Sequence, residues 1–477
     1  MDRVVRTSAG SVRGVSDGGV SRFLGIPYAA APEGPLRFAA PAPPAPWEGT
    51  RDAVAFSASP PQLPPAPGMP SPWLPEHGLD HLSVNVWAPD AGGSGLPVLV
   101  WIYGGAYQQG SSALPTYDGS RLAAHGVVVV TMNYRLGFEG FGVLPGAPAN
   151  RGHLDQLAAL EWVRAEIAAF GGDPDLVTVF GESAGAGSVA VLLGSSRAKG
   201  LFRRAIAQSI PTGYRSLEQA GAITDVLAAE LGVPATREGF AALAPEALLA
   251  VQHVPVRGQV AGITAFGPVI DHELITGRPW NVLETGAGRE VDLVCGFTHE
   301  EFRLFTALTD MSGVRPEDVA APQRLPAEAI ADYRAAYPDL PDATLVEVIL
   351  SDAVFRMPTT WSAEAHTRAG GRTWLYDFAW AGPTLGACHS IDVPFTFGTS
   401  NTPIGALLLG TPVPPDFEPL SEALRESWTT FAATGDPGWP EFTLDEPHTR
   451  TWNTPITDGP YPIPASREIW RRARPNP

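Results

Sequence analysis

A pentapeptide at residues 181–185, Gly-Glu-Ser-Ala-Gly, directly follows the apolar run at 176–180. The small, mostly apolar residues at 184–193 then have the composition of a buried helix. A strand that turns abruptly into a helix through Gly-x-Ser-x-Gly holds its serine on a strained elbow. The two glycines are required because a Cβ at either position would clash. The flanking segments therefore predict that Ser183 projects from the end of a buried strand as a nucleophile.

The order of apolar segments predicts an α/β fold. Continuous apolar runs of strand length are typical of strands buried on both faces of a mostly parallel sheet. They occupy residues 97–102, 126–131, 176–180, 205–208, 291–296 and 373–378. Helical spacing lies between them, most clearly at 154–167.

The domain organisation follows from the absence of any repeat, charge block or linker in the sequence. We therefore expect residues 1–477 to form a single domain. Residues 215–290 and 303–370 are helical and polar, which indicates cap or peripheral segments around an active site. The proline-rich stretch at 60–75 is predicted to be an irregular loop.

Charge and composition exclude several classes of function. A formal net charge of −18 argues against a nucleic-acid partner, because such binding needs basic surfaces. The sequence has no run of about 18 apolar residues, so no membrane-spanning helix is expected. Two cysteines, Cys295 and Cys388, are too few for a disulfide framework, and the amino terminus lacks the apolar core of a signal peptide. Reduced, buried thiols and a cytoplasmic location are therefore expected.

An acyl-transfer serine needs a base and an acid that orients the base. His389 is the predicted base, because Gly-Ala-Cys-His at 386–389 follows a strand and a turn late in the chain. The acid is expected just beyond the strand at 291–296, where Glu300 and Glu301 stand side by side. Spacing by itself does not decide between these two carboxylates.

The glycine-containing segment at 101–107, Trp-Ile-Tyr-Gly-Gly-Ala-Tyr, predicts an oxyanion hole. It follows the apolar strand at 97–102, where backbone N–H groups of such a loop are used to bind a developing oxyanion. The predicted donors are the N–H groups of Gly105, Ala106 and Ala184, the last being the residue after the nucleophile. This chemistry requires no metal and no organic cofactor.

These motifs together resemble the type-B carboxylesterase and cholinesterase family of α/β-hydrolases, and the similarity runs through most of the chain. The matching blocks lie at 23–29, 36–38, 84–87, 133–137, 154–156, 180–185, 202–206, 208–209, 386–389, 431–432 and 435–437. The resemblance implies an α/β-hydrolase fold, with a central, mostly parallel sheet flanked by helices and cap segments around an active-site gorge. It also implies that Glu301 is the acid, and that Glu182 and Ser209 support the catalytic residues without contacting the substrate.

Several residues depart from the family's pattern. Phe302 replaces the glycine after the acid, Ile210 replaces a glycine, and Asp392 replaces a glutamate after the histidine. Bulk at Phe302 is expected to reshape the acyl pocket. Five aromatic residues are candidates for an apolar gorge, with the core as the alternative place for each: Trp73, Tyr107, Phe138, Phe302 and Phe305.

The sequence therefore predicts a serine carboxylic-ester hydrolase that acts through an acyl-enzyme on small, uncharged, apolar or aromatic esters. Hydrolysis is expected to fall below about pH 6.5, as the imidazole of His389 becomes protonated. One alternative is an acyltransferase or cyclising enzyme of a biosynthetic pathway, which would use the same triad with an acceptor other than water. A non-catalytic binding module is a remote alternative, because the serine, the acid and the histidine are all present.

Overall fold

The computed structural model describes residues 2–65, 70–90, 93–252, 265–307, 309, 311, 313–323 and 325–473. The predicted loop at 60–75 and the predicted cap segments at 215–290 and 303–370 lie partly outside the described residues.

The strands are numbered in chain order. They are β1 Asp2–Arg6, β2 Ser11–Asp17, β3 Val20–Pro27, β4 Thr50–Asp52, β5 Ser83–Pro89, β6 Leu96–Ile102, β7 Val128–Met132, β8 Gly172–Glu182, β9 Arg204–Gln208, β10 Arg215–Ser216, β11 Val269–Ile270, β12 Asp292–Thr298, β13 Thr373–Phe378, β14 Thr449–Trp452 and β15 Thr457–Gly459.

The α-helices follow the same convention. They are α1 Ser120–Ala123, α2 Gly137–Phe141, α3 Arg151–Glu166, α4 Ala184–Gly194, α5 Leu217–Leu231, α6 Arg237–Ala241, α7 Pro245–Val251, α8 Pro279–Glu284, α9 Arg303–Ala307, α10 Pro316–Ala320, α11 Ala327–Ala336, α12 Asp342–Ser351, α13 Met357–Arg368, α14 Asp392–Phe397, α15 Pro403–Leu409, α16 Phe417–Thr434 and α17 Pro464–Ala473. A π-helical turn, Asp352–Arg356, joins α12 to α13.

In the described part of the chain, thirteen strands form one sheet in the order β1-β2-β3-β5-β7-β6-β8-β9-β12-β13-β14-β15, with β4 paired to β2. Neighbouring strands from β7 across to β14 are parallel. The strands on the amino-terminal side, from β1 to β5, join the sheet through antiparallel pairs, apart from the short β2–β4 pair. The predicted α/β fold with a mostly parallel sheet is therefore confirmed.

Continuous apolar sequence explains the centre of this sheet. Val98–Ile102 in β6, Val128–Val130 in β7 and Val177–Phe180 in β8 are fully buried, as expected for parallel strands covered on both faces. Helix α4 begins directly after β8 and packs on β8 and β9. Its small residues let it lie close to the sheet, and all of them except Gly194 are buried. This packing fixes the start of α4 at the carboxyl edge of the sheet.

The structure bears on the expected state of the two cysteines and on the expected absence of a membrane-spanning helix. Cys295 and Cys388 are buried free thiols, and burial raises the pKa of Cys388 to about 12. Among the helices of the described residues, none has both the length and the apolar character that crossing a membrane demands. The expected cytoplasmic location stays a prediction.

A buried ion pair joins the segment that follows β7 to α3. Arg135 Nη2 lies 2.6 Å from Asp155 Oδ1, and Arg135 Nε donates to Asp155 Oδ2 at 2.8 Å. The Arg135 backbone N–H also donates to this carboxylate, at 3.0 Å. Both side chains are excluded from solvent, with exposures of 1% and 0%. Removal of either partner would leave an uncompensated buried charge.

We expect Asp155→Asn to lower the free energy of unfolding by about 3–5 kcal/mol, because it leaves the Arg135 guanidinium buried without its counter-charge. Urea denaturation followed by circular dichroism measures this difference. Asp175→Asn is the matched control, since Asp175 pairs with Arg164 on the surface, and it should change the free energy by less than about 1 kcal/mol. Equal effects of the two substitutions would contradict the role assigned to the buried pair.

Candidate active site

Ser183 occupies the predicted elbow between β8 and α4. Its backbone lies at φ 55° and ψ −122°, a conformation that a non-glycine residue rarely adopts. A Cβ on Gly185 would collide with the Ile102 carbonyl, and one on Gly181 would come within 2.7 Å of the same oxygen. The elbow therefore requires both glycines, and it presents Ser183 as a partly exposed residue at the carboxyl edge of the sheet.

The structure brings His389 and Glu301 together. His389 Nδ1 lies 2.5 Å from Glu301 Oε2. The second carboxylate oxygen of Glu301 accepts a hydrogen bond from the Thr298 backbone N–H at 2.9 Å. The His389 N–H donates to the Glu301 carbonyl at 3.2 Å, so backbone and side chain hold the pair together. Both residues are buried.

Glu300 has different partners. Its Oε2 accepts a hydrogen bond from the Ala387 N–H at 2.8 Å, and its Oε1 lies 2.7 Å from Arg303 Nη1. The Glu300 side chain is one-third exposed, whereas that of Glu301 is fully buried. The geometry therefore distinguishes the two adjacent carboxylates, which spacing does not: Glu301 contacts His389 and Glu300 contacts Arg303.

The other ring nitrogen of His389 faces the nucleophile elbow. Nε2 lies 3.2 Å from Oε1 of Glu182, the residue before Ser183, but the angles at this contact are not those of a hydrogen bond. In the part of the chain that the structure describes, Nε2 has no hydrogen-bond partner and the Ser183 hydroxyl is not hydrogen-bonded to it. Such catalytic hydrogen bonds are often long before substrate binds.

Three carboxylates set the protonation of the imidazole. Burial acts to lower the pKa of His389, but the negative charges of Glu182, Glu301 and Asp392 outweigh it and bring the pKa above 6.5. Burial also raises the pKa of Glu182 to about 7 and that of Asp392 to about 6. The protonation states of His389, Glu182 and Asp392 therefore depend on one another through their charges.

Hydrogen bonds hold the two supporting carboxylates. The Ser390 hydroxyl donates to Glu182 Oε1. Asp392 Oδ2 accepts hydrogen bonds from Gln208 Nε2 at 2.8 Å and from the Tyr376 hydroxyl at 3.2 Å. Asp392, a departure from the family's glutamate, therefore still belongs to the acidic cluster.

Ser209 lies behind the site, at the end of β9. Its backbone has φ 65°, and its N–H donates to the Gly296 carbonyl at 2.8 Å. Its hydroxyl is buried and has no hydrogen-bond partner among the described residues. The structure therefore brings Glu182 into contact with His389, but it does not do so for Ser209.

The predicted oxyanion loop lies against the elbow. A Cβ on Gly104 would lie 3.0 Å from Ser183 Cβ, which places the loop backbone beside Ser183. Across the described residues, the N–H groups of Gly105 and Ala106 donate no hydrogen bond. Ala184 is the first residue of α4, so its N–H has no partner within the helix.

Aromatic rings cover one side of His389. Phe355 stacks on the imidazole, with ring centroids 4.1 Å apart, and Phe305 lies 5.5 Å away. Phe302 extends this surface at 4.9 Å from Phe305, and both of these phenylalanines are partly exposed. Phe302, Phe305 and Phe355 together form an aromatic surface beside His389.

Of the remaining gorge candidates, Tyr107 and Phe138 belong to the hydrophobic core, whereas Trp73 is a buried residue of its own loop. Trp73, Tyr107 and Phe138 are all buried, and Trp73 Nε1 donates to the Gly78 carbonyl at 2.8 Å. Nothing in the sequence pattern singles out Phe355, which lies within the segment 303–370 that is predicted to be a cap or peripheral segment. Ser390 is a second residue of the site that the sequence analysis does not identify, and its position directly after the predicted base is the one signal that points to it.

No group of three or more His, Cys, Asp or Glu side chains within the described ranges is arranged to hold a metal ion.

Comparison with known proteins identifies the family. Residues 1–461 match the family model described as the carboxylesterase family. The chain is 36% identical to para-nitrobenzyl esterase of Bacillus subtilis (strain 168), over 99% of this chain and 98% of that protein. It is 33% identical to fumonisin B1 esterase of Sphingopyxis macrogoltabida, over 92% of this chain and 84% of that protein.

A solved carboxylesterase from Geobacillus stearothermophilus superposes with a TM-score of 0.86 at 36% identity, covering 98% of this chain and 99% of that one. Sequence and fold therefore agree over almost the entire length, and the chain belongs to the carboxylesterase family, as a carboxylesterase with the α/β-hydrolase fold.

Proposed function

We propose that the chain hydrolyses carboxylic esters through a triad of Ser183, Glu301 and His389. The observation that carries this proposal is the buried hydrogen bond between His389 Nδ1 and Glu301, which leaves Nε2 unpaired on the side of the Ser183 elbow. Neutral His389 accepts the Ser183 proton at Nε2 while the serine oxygen attacks the ester carbonyl. Glu301 fixes the tautomer with the proton on Nδ1 and stabilises the imidazolium that forms.

The carbonyl oxygen becomes an oxyanion in this step. The N–H groups of Gly105, Ala106 and Ala184 receive it, at about 3 kcal/mol of transition-state stabilisation per donor. His389 then protonates the leaving alcohol, and the acyl group remains on Ser183. Water repeats the sequence with His389 as base and releases the carboxylic acid.

Glu182 and Ser209 support this chemistry without touching the ester. Glu182 lies 3.2 Å from His389 Nε2 and opposes loss of the imidazolium through its negative charge when ionised. The backbone N–H of Ser209 donates to the Gly296 carbonyl, which holds the end of β9 against β12 behind Ser183.

The substrates are uncharged esters with an apolar or aromatic group. The partly exposed rings of Phe302 and Phe305 offer an apolar surface beside His389. Three carboxylates around the imidazole disfavour an anionic substrate by repulsion. A relative at 36% identity is named for para-nitrobenzyl esters, which are uncharged and aromatic.

We expect Ser183→Ala to lower kcat on p-nitrophenyl esters by at least about 10³-fold, because the acyl-enzyme can no longer form. Initial rates with acyl groups of increasing length measure this and size the acyl pocket. Product analysis with an added alcohol or amine separates hydrolysis from acyl transfer, and free acid as the sole product would support a hydrolase. Undiminished activity in the variant would contradict the nucleophile assignment.

We expect Glu301→Gln to lower kcat by about 10³–10⁴-fold, because the amide does not enforce the tautomer or stabilise the imidazolium. Glu300→Gln is the matched control, since the adjacent carboxylate bonds to Arg303 and to the Ala387 N–H rather than to His389. It should change kcat by less than about tenfold. A larger loss in Glu300→Gln than in Glu301→Gln would reverse the assignment.

The pH profile should reflect the acidic cluster. Because nearby carboxylates hold the pKa of His389 above 6.5, the acid limb of kcat/KM should lie above the value expected from sequence. Glu182→Gln removes one negative charge, so the imidazolium becomes less stable, the pKa of His389 falls and the limb moves to lower pH. Profiles of wild type, Glu182→Gln and the surface control Asp175→Asn test this, and an upward shift in Glu182→Gln would refute it.

A further inference from the structure

The oxyanion loop has an unusual backbone. Gly105, Ala106 and Tyr107 follow one another with φ values of 108°, 56° and 60°. Two consecutive non-glycine residues in the left-handed region are unfavourable, and such conformations persist only where surrounding structure fixes them. Ala106 has only a methyl group with which to make contacts. Tyr107 carries the large side chain of this pair.

The side chain of Tyr107 is buried among three other elements. Its ring lies 4.9 Å from Phe141 of α2 and 5.9 Å from His153 of α3, measured between centroids. Its hydroxyl lies against Gly187 of α4, where any Cβ would collide with it. The hydroxyl approaches Ser188 without the geometry of a hydrogen bond. One aromatic side chain thus connects the loop to α2, α3 and α4.

Neighbouring contacts make this enclosure rigid. The Tyr107 carbonyl accepts a hydrogen bond from the Gly137 N–H at 2.7 Å, which holds the backbone of the same residue. Gln156 Nε2 donates to Ser188 Oγ at 3.0 Å and so ties α3 to α4 beside the ring. Phe141 and His153 also contact each other edge to face, with centroids 5.3 Å apart.

The position of Gly187 gives these contacts a functional meaning. Gly187 lies one turn along α4 from Ala184, and the Gly187 N–H donates to the Ser183 carbonyl at 2.9 Å. The oxyanion donors come from two separate elements, the loop and the start of α4. A side chain that begins in the loop and ends on α4 therefore fixes the distance between the two groups of donors.

We propose that Tyr107 is a positioning residue that holds the N–H groups of Gly105 and Ala106 at the distance and orientation from the Ala184 N–H that a shared oxyanion requires. The inference rests on the oxyanion hole of the proposed function and extends it to a residue that does not reach the substrate. If these donors move relative to one another, the oxyanion hole loses affinity for the tetrahedral oxyanion but keeps most of its affinity for the ground-state ester.

The test compares Tyr107→Ala, Tyr107→Leu and Tyr107→Phe with wild type, with rates normalised to the folded fraction from circular dichroism. The probe is an aryl trifluoromethyl ketone. Ser183 Oγ adds to its carbonyl carbon, the carbonyl electron pair moves to oxygen, and the serine proton moves to His389, which leaves an oxyanion in the hole.

Tyr107→Ala and Tyr107→Leu should lower kcat by about tenfold to a hundredfold and raise the inhibition constant of the ketone in parallel. KM should change by less than about threefold, and Tyr107→Phe, which keeps the ring, should resemble wild type.

Phe442→Ala is the control for loss of a buried ring away from the site. It should lower Tm without changing the inhibition constant. Unchanged kcat and inhibition constant in Tyr107→Leu, or a fall in kcat with no change in the inhibition constant, would overturn the proposal. Activity that survives in Ser183→Ala would instead overturn the proposed function.

Discussion

Parallel strand direction is the constraint on which this active site depends. The loop proposed to bind the oxyanion follows β6, the proposed nucleophile Ser183 follows β8, the proposed acid Glu301 follows β12, and the proposed base His389 lies in the loop beyond β13. Because β6, β8, β9, β12 and β13 are neighbours in one parallel sheet, all four connections emerge at the same edge. Parallel strand pairing is thus sufficient to bring residues that are far apart in the chain to one site.

Charge is the second organising element. A carboxylate buried without partners is costly, and here each acidic group around His389 has a donor: Thr298 for Glu301, Ser390 for Glu182 and Gln208 for Asp392. These donors keep the acids in place while the imidazole lies between Glu182 and Glu301. These carboxylates favour a positive imidazolium, which is the species that the proposed mechanism forms on His389.

Local pattern was sufficient to predict the central strands and the elbow at Ser183. Apolar runs such as 97–102 and 373–378 are buried on both faces, so composition alone marks them. The antiparallel strands β1–β3 escaped prediction because they lie towards one side of the sheet, where exposed and buried residues are mixed. Spacing did not separate Glu300 from Glu301, since adjacent side chains differ only in the direction that the local backbone gives them. The stacking of Phe355 on His389 depends on a π-helical turn that no periodicity in the sequence indicates.

Ser183, Ala106 and Tyr107 share positive φ angles that only tertiary packing maintains. Each of them would relax if its surroundings loosened slightly, whereas the central strands gain from hydrogen bonds on both sides. Local opening at the carboxyl edge thus requires less free energy than unfolding of the sheet. During heating, the enzyme would then pass through a state that retains its secondary structure and has lost its activity, so that catalytic lifetime is shorter than the lifetime of the fold.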